Sequence, residues 1–255
     1  MSNLIQKYAQ VEKLAASENE LRLINKLSID ELSQENVFTF KMAICDNEVD
    51  RVCEVFPLES LKKMAVLFEG RTILKDHNRQ TDNQVARIYE TEVDVDNSRT
   101  TKNNEPYSRI IAKCYMVRTE RNKDLITEIS AGIRKEVSVS CSMSSAICSI
   151  CGTDNTKKYC KHFGGRDYDG QVCYFKLIEP VDAYEVSFVG VPAQPAAGVV
   201  SKNYNGNETT QKEFEQQEEK TIAEKNAKIE TEKELTNQKI DIVDSFLFIQ
   251  NQKNK

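Results

Sequence analysis

The stretch from Asp182 to Ala197 reads Asp-Ala-Tyr-Glu-Val-Ser-Phe-Val-Gly-Val-Pro-Ala-Gln-Pro-Ala-Ala. Its first half is rich in aromatic and β-branched side chains, which favour a strand, and its second half holds the Gly and Pro residues typical of a turn. The stretch therefore predicts a strand over 182–189 that leads into a Pro-Ala turn. The rest of the chain is best interpreted by working outward from this strand.

Runs of β-forming residues recur upstream of this strand. They lie near 37–44, 71–75, 84–93, 106–118, 137–141 and 172–178, with a polar connection over 97–104. Helical spacing of apolar residues is found over 58–67, which Gly70 stops, and over 124–133. The pattern predicts an α+β fold of mainly antiparallel β-structure, with a barrel-like core and a few helices.

The composition changes twice along the chain and divides it into three parts. Residues 1–36 form a polar N-terminal arm with a hint of helix, and 37–200 form the main domain. Residues 201–255 are dominated by Glu, Lys, Gln, Asn and Thr, which predicts a helical or disordered tail. A thin apolar stripe in this tail favours a helix that pairs with another chain, and so a possible homo-oligomer.

The charge balance limits the classes of partner. The chain has 255 residues, a formal net charge of −5 and a sequence pI of about 5.4, which argues against a primary role in nucleic-acid binding. No apolar run approaches the ~20 residues that span a bilayer, and the first residues lack the layout of a signal peptide. We therefore expect a reducing cytoplasm, where the eight cysteines are metal ligands or buried thiols rather than disulfides.

Four side chains of the types that bind metals cluster in one short segment. Cys148, Cys151, Cys160 and His162 have the spacing C-x2-C-x8-C-x-H. Three thiolates and one imidazole make a closed tetrahedral set, which suits structural Zn²⁺ and leaves no position for a catalytic water. We predict a small zinc lobe over 146–171, with Cys173 as a possible substitute ligand and a redox CxxC pair as the weaker interpretation.

Two single residues far upstream of the 182–197 stretch combine with it into an ordered set of motifs. His77 ends the run Ile73-Leu74-Lys75-Asp76-His77, and Ser138 lies in the alternating run Val137-Ser138-Val139-Ser140-Cys141. The order His, then Ser, then Glu-Val-Ser-(x)4-Pro-Ala resembles the capsid maturation (prohead) proteases of tailed bacteriophages, which are distantly similar to herpesvirus assemblin. The resemblance covers roughly residues 37–200 and implies a serine endopeptidase with a barrel-like protease core.

The resemblance also implies catalytic roles. Ser138 is the expected nucleophile, His77 the base that activates it, and Glu185 the acidic group that orients His77. The herpesvirus relatives use a second histidine in the third position, but this chain has two histidines and His162 is better explained as a metal ligand. Ser140 remains a rival nucleophile, because it stands where the family commonly has Gly, and Asp182 remains a rival third member.

The implied function is the processing of scaffold and capsid proteins, and of the enzyme itself, during maturation of the procapsid. The implied location is the host cytoplasm, inside the immature procapsid, and the tail would be a scaffold-like or targeting segment with a cleavage site near 198–212. The expected partners are capsid and scaffolding proteins, with no membrane and no nucleic acid. Two alternatives stay open: an inactive scaffold or assembly protein of the same fold, and a zinc-dependent binding module.

Overall fold

The computed structural model describes residues 16–202, and the predictions for 1–15 and 203–255, including most of the tail, lie outside the described residues. The fold is α+β with mostly antiparallel strands and few helices. The described strands are β1 (Val37–Asp46), β2 (Glu54–Val55), β3 (Thr72–Lys75), β4 (Ala86–Thr100), β5 (Pro106–Val117), β6 (Val137–Cys148), β7 (Asp167–Tyr168), β8 (Gln171–Val172), β9 (Phe175–Phe188) and β10 (Gly198–Lys202). The α-helices are α1 (Glu18–Asn25), α2 (Leu58–Phe68) and α3 (Lys123–Ser130).

Eight of these strands form one sheet in the order β10-β1-β5-β4-β3-β9-β2, and β6 also pairs with β9. Strands β2 and β3 run parallel to β9, whereas the other pairings are antiparallel. β9 therefore has β6 along one edge and β2 and β3 in succession along the other. This position makes β9, the predicted strand of the opening stretch, the element that brings distant segments together.

The core lies between the sheet and helix α2. The helix buries Leu61, Met64 and Phe68 on one face, at the spacing of an amphipathic helix, and ends before Gly70, whose φ of 75° suits the residue that stops a helix. Phe40 of β1 stacks against Phe188 of β9 with ring centroids 6.3 Å apart. Each such fully buried side chain contributes about 1.5–3 kcal/mol to the stability of the fold. This packing holds the strands that carry the site in place.

The described part of the predicted N-terminal arm packs against the main domain. Ser17 and Glu20 form a reciprocal capping box that begins α1, and the predicted helix is thereby confirmed. Ile24 is fully buried in a cluster with Tyr89 and Tyr115, and the Tyr89 hydroxyl donates to Glu20 at 2.9 Å. The segment from residue 16 onward is therefore part of the folded unit. None of the described helices is long and apolar enough to cross a membrane.

Two predicted element boundaries are wrong. The strands predicted near 172–178 and 182–189 are one strand, β9, because the irregularity at Pro180 is absorbed by a register shift opposite Met143 and by a left-handed Glu179 at φ 56°. The connection predicted over 97–104 is shorter, because β4 pairs with β5 as far as Thr100. The polar side chains of this segment are exposed on a β-hairpin, so their polarity reflects contact with solvent and does not indicate a loop.

The strand β10 crosses the predicted domain boundary at residue 200. It pairs with β1 from Phe40 to Ala43, and its Gly198 passes close to the segment before β6. A Cβ at Gly198 would lie 2.8 Å from the Lys135 carbonyl oxygen, so glycine is required for this approach. The folded unit therefore includes residues 201 and 202.

Candidate active site and candidate metal centre

His77 is held in a tight turn at the end of β3. Strand β3 runs parallel to β9 with Leu74 opposite Ser187, and Asp76 and His77 then adopt left-handed φ angles of 54° and 52°. Such angles cost of order 1–3 kcal/mol each in residues other than glycine, so the surrounding contacts must hold them. The Asp76 N–H donates to the Phe188 carbonyl at 2.9 Å, and the His77 N–H donates to Ser187 Oγ at 3.0 Å.

The imidazole of His77 contacts a buried carboxylate. Glu185 Oε1 lies 2.7 Å from His77 Nδ1, and the Ser187 hydroxyl donates to Glu185 Oε2 at 2.6 Å. Glu185 is 2% exposed, whereas the His77 side chain is 41% exposed. Because an ionised carboxylate only accepts, Nδ1 carries the proton in the neutral ring and Nε2 is left as a base. This is the arrangement in which an acidic group orients a catalytic histidine.

The serines of β6 lie beside this pair. Ser138 is directly opposite Ser187 of β9, and Ser140 is directly opposite Glu185. Residues that face each other in an antiparallel pair project from the same side of the sheet, with Cβ atoms roughly 5 Å apart. Ser138 and Ser140 therefore share the face of the His77–Glu185 pair.

The two serines differ in their contacts. Ser140 Oγ accepts a hydrogen bond from Arg79 Nη2 at 3.1 Å. Ser138 is half-buried, and its hydroxyl makes no hydrogen bond within residues 16–202, to His77 or to any other group. The structure thus joins His77 to Glu185 directly and brings Ser138 to the neighbouring strand without a contact to the imidazole.

Asp182 is engaged elsewhere. Its Oδ1 lies 2.9 Å from Arg71 Nη2 and also accepts the Ala183 N–H at 2.9 Å. It pairs across the sheet with Ser142, away from Glu185. Of the two acidic groups proposed for the third position, Glu185 is the one in contact with His77.

Two residues of the site were not assigned from the sequence. Ser187 bonds both the His77 backbone and Glu185, and its signal was present, since it is the serine of the quoted Glu-Val-Ser stretch. Arg79 carried no such signal, because its position depends on the turn after β3. Its guanidinium lies 5.3 Å from the Tyr184 ring centroid as well as against Ser140, and it adds a positive charge beside the serine face.

The Pro-Ala turn after β9 is fastened to the far end of β1. The Gln194 side chain accepts the Asp46 N–H at 2.9 Å and donates to the Asp46 carbonyl at 3.0 Å. Burial raises the pKa of the Asp46 carboxyl to about 6, although hydrogen bonds from the Glu48 backbone and Tyr107 oppose this. The turn is therefore held by the backbone of Asp46.

The predicted metal ligands converge. The ligand atoms of Cys148, Cys151, Cys160 and His162 all lie within 4.8 Å of one another, so the cluster could bind a metal ion. Cys148 Sγ is 3.7 Å from His162 Nδ1, close to the roughly 3.5 Å expected for two ligands at a tetrahedral Zn²⁺ with bonds of about 2.3 and 2.0 Å. Cys173 Sγ lies 3.8 Å from Cys148 Sγ but is outside the converging set.

Local contacts act differently on the individual residues of the cluster. Hydrogen bonds with Thr153, whose hydroxyl is 3.2 Å from Cys151 Sγ, lower the pKa of the Cys151 thiol to about 6. The His162 ring meets Tyr168 edge-on, with centroids 4.6 Å apart, and this contact orients the imidazole. The thiolate is the ligand form, so the lowered pKa favours metal binding at Cys151. The other two thiols differ, since burial raises the pKa of Cys148, and the pKa of Cys160 is raised although a hydrogen bond with the His162 backbone opposes this.

A comparison with known proteins adds nothing to this geometry. The chain matches no family model, no curated protein and no solved structure. The features that bear on function are therefore the His77–Glu185 contact, the neighbouring serines and the cysteine-histidine cluster.

Proposed function

We propose that this chain is a serine endopeptidase of the tailed-phage prohead protease type, with Ser138 as nucleophile, His77 as base and Glu185 as orienting acid. The observation that carries the proposal is the 2.7 Å contact between His77 Nδ1 and the buried Glu185 carboxylate. A buried carboxylate on a partly exposed histidine, beside a strand with half-buried serines, is the arrangement that acyl transfer requires.

The mechanism follows from these groups. Ser138 Oγ attacks the peptide carbonyl while His77 Nε2 takes the hydroxyl proton, and a bond between Oγ and the carbonyl carbon forms. Glu185 stabilises the imidazolium, which then gives the proton to the leaving amine as the peptide C–N bond breaks. Water, activated by His77, releases the acyl group from Ser138. Catalytic hydrogen bonds often tighten only when substrate is bound, so the absent Ser138–His77 bond is compatible with this role.

We further propose that the sheet closes into a barrel-like core. In support, the Val137 N–H donates to the Ala197 carbonyl at 3.2 Å and the Val199 N–H to the Lys135 carbonyl at 2.7 Å. These bonds link the segment that enters β6 to the start of β10, and so connect the two ends of the run β10-β1-β5-β4-β3-β9-β6. Closure would leave few free edges and would fix β6 against β9, where the serines lie.

We propose that Cys148, Cys151, Cys160 and His162 hold a structural Zn²⁺. The three thiolates and one imidazole occupy all four tetrahedral positions, so the metal would stabilise the lobe and would take no part in the hydrolysis. The lobe is inserted between β6, which carries Ser138, and β9, which carries Glu185. A folded lobe would therefore help to keep these two strands in register.

The proposed substrates are scaffold and capsid proteins, and the chain itself, inside an immature procapsid in the host cytoplasm. The tail is proposed as a scaffold-like segment that directs the protease into the shell, and its apolar stripe as a possible contact in a homo-oligomer. These assignments rest on the resemblance of the motifs.

Covalent labelling tests the proposal without knowledge of the substrate. A fluorophosphonate probe, which reacts with activated serines, is expected to label the peptide that holds Ser138, and His77→Ala should abolish the labelling. Ser142→Ala is the matched control, since Ser142 lies on the same strand face but opposite Asp182. Absence of any labelled serine in the folded chain would instead favour the inactive assembly protein.

A further inference from the structure

The metal-binding lobe carries a surface that the protease proposal does not use. We define the lobe surface as Lys157, Lys158, Tyr159, Lys161, Phe163 and Arg166. The whole chain has a formal net charge of −5, yet the ten residues from 157 to 166 contain four cationic side chains and no carboxylate. The average charge of the chain therefore hides a local excess of positive charge.

Aromatic rings alternate with these charges and are exposed. Tyr159 is 87% exposed and Phe163 is 58% exposed, which is unusual for rings of this size in a folded protein. The Arg166 guanidinium lies 4.7 Å from the Phe163 ring centroid and forms a mixed cationic and aromatic surface with it. Neither ring contributes to the hydrophobic core, so packing does not explain why they are aromatic.

The cations of the lobe surface are only partly neutralised. Lys157 pairs with Asp154 at 3.2 Å, whereas Lys158 and Lys161 make no ion pair with a residue of the described part of the chain. The nearest following acid, Asp167, accepts the Gly170 N–H in the β7–β8 turn. Two exposed lysines thus remain available to an anionic partner.

The surface is also anchored. Lys157, Lys158 and Tyr159 directly precede Cys160, while Lys161 and Phe163 flank His162, so every one of these residues is close in the chain to a metal ligand of the converging cluster. The Phe163 N–H donates to the Tyr168 hydroxyl at 2.9 Å, which ties this segment to the β7–β8 hairpin. The rings and charges are therefore held on a fixed framework, which lowers the entropic cost of binding.

We propose that the lobe surface binds single-stranded nucleic acid. Single-strand binding surfaces combine cations, which follow the phosphates, with exposed rings on which successive bases stack. Tyr159 and Phe163 supply the rings, and Lys158 and Lys161 supply the unpaired charges. An acidic protein segment would satisfy the lysines but offers no regular series of planar groups for the two rings. The expected absence of a nucleic-acid partner rests on the acidic average charge of the chain and on the lack of an evident basic face in the sequence, and neither describes this local surface.

Fluorescence anisotropy tests the proposal. The full chain, with its mass and zinc content verified, is titrated against a fluorescein-labelled 15-nucleotide oligo(dT) at several salt concentrations. We expect Tyr159→Ala with Phe163→Ala to weaken binding about tenfold or more at every salt concentration. We expect Lys158→Gln with Lys161→Gln to reduce the slope of log affinity against log salt concentration by about 0.7 per lysine.

The matched control is Lys62→Gln with Lys63→Gln, which removes two exposed lysines from helix α2 and should leave the affinity unchanged beyond a small general charge effect. The proposal is overturned if the zinc-loaded chain fails to bind oligo(dT) at low salt, or if the ring and lysine variants bind as tightly as the parent chain. It is also overturned if a labelled poly-glutamate peptide binds the lobe surface more tightly than oligo(dT), since the surface would then be a protein-docking site.

Discussion

The replacement Glu185→Gln tests the catalytic arrangement most closely, because it removes one charge while keeping the shape of the side chain. Glu185 is 2% exposed, and its two oxygens bond His77 at 2.7 Å and Ser187 at 2.6 Å. Hydrogen bonds to a charged group are worth about 1.5–3 kcal/mol each. Glutamine keeps one acceptor oxygen and replaces the other with an NH2 donor, so one of these two bonds is lost. The expected cost is about 1.5–3 kcal/mol of transition-state stabilisation, or roughly 10- to 10²-fold in rate.

The assay is the rate at which the chain shortens itself after refolding, followed by intact-mass spectrometry, with thermal melts to confirm that each variant is folded. Asp182→Asn is the matched control, since Asp182 pairs with the half-exposed Arg71 and does not contact His77. We expect Asp182→Asn to stay within a few-fold of the parent rate. An unchanged rate in Glu185→Gln, or a large loss confined to Asp182→Asn, would refute the assigned role of Glu185.

Three further predictions concern stability and metal. Elemental analysis is expected to find one zinc ion per chain, which Cys160→Ser loses and Cys141→Ser keeps. An equal zinc content in the two variants would contradict the four-residue site. Because the Asp46 pKa is raised from 3.8 to about 6, the native state holds its proton more tightly than the unfolded chain, so stability should fall by about 2–3 kcal/mol as pH rises from 4 to 6. Urea unfolding of Asp46→Asn should lack this fall, and retention of it would assign the pH dependence to another group. Gly198→Ala should lower the melting temperature, because the added Cβ would lie 2.8 Å from a carbonyl oxygen. Gly190→Ala should leave the melting temperature unchanged, because there is open space around Gly190. Similar melting temperatures for the two variants would argue against the close approach at Gly198.

The strands that carry the site were predictable because their residues are apolar or β-branched at positions that face the core. The segments around His77, Ser138 and Glu185 each have such a local pattern, so their strands could be predicted singly. Their meeting could not be derived from periodicity, because His77 and Glu185, which come into contact, are 108 positions apart in the chain. The order of the motifs suggests that these three residues lie together. The structure shows the His77–Glu185 contact, which the hydrophobic periodicity does not predict.

The metal cluster was the easiest site to predict, since all four ligands lie within fifteen residues and local turns bring them together. The sequence predictions that were wrong or incomplete have other physical causes. The pattern of β-forming residues predicts two strands near 172–178 and 182–189, but pairing with β6 and a register shift carry β9 through Pro180. Arg79 was missed because a side chain that reaches across a turn leaves no periodic signal in the sequence.

Intact-mass spectrometry of the purified full chain beside Ser138→Ala, Ser140→Ala and Ser142→Ala tests the central claim most directly. The proposed function predicts that the parent chain and Ser142→Ala shorten, and that Ser138→Ala stays whole. If Ser140→Ala alone stays whole, the nucleophile is two residues further along β6 and the assignment of Ser138 is wrong. If all four folded chains keep their full mass, also in the presence of added capsid or scaffold protein, the proposed protease activity is contradicted.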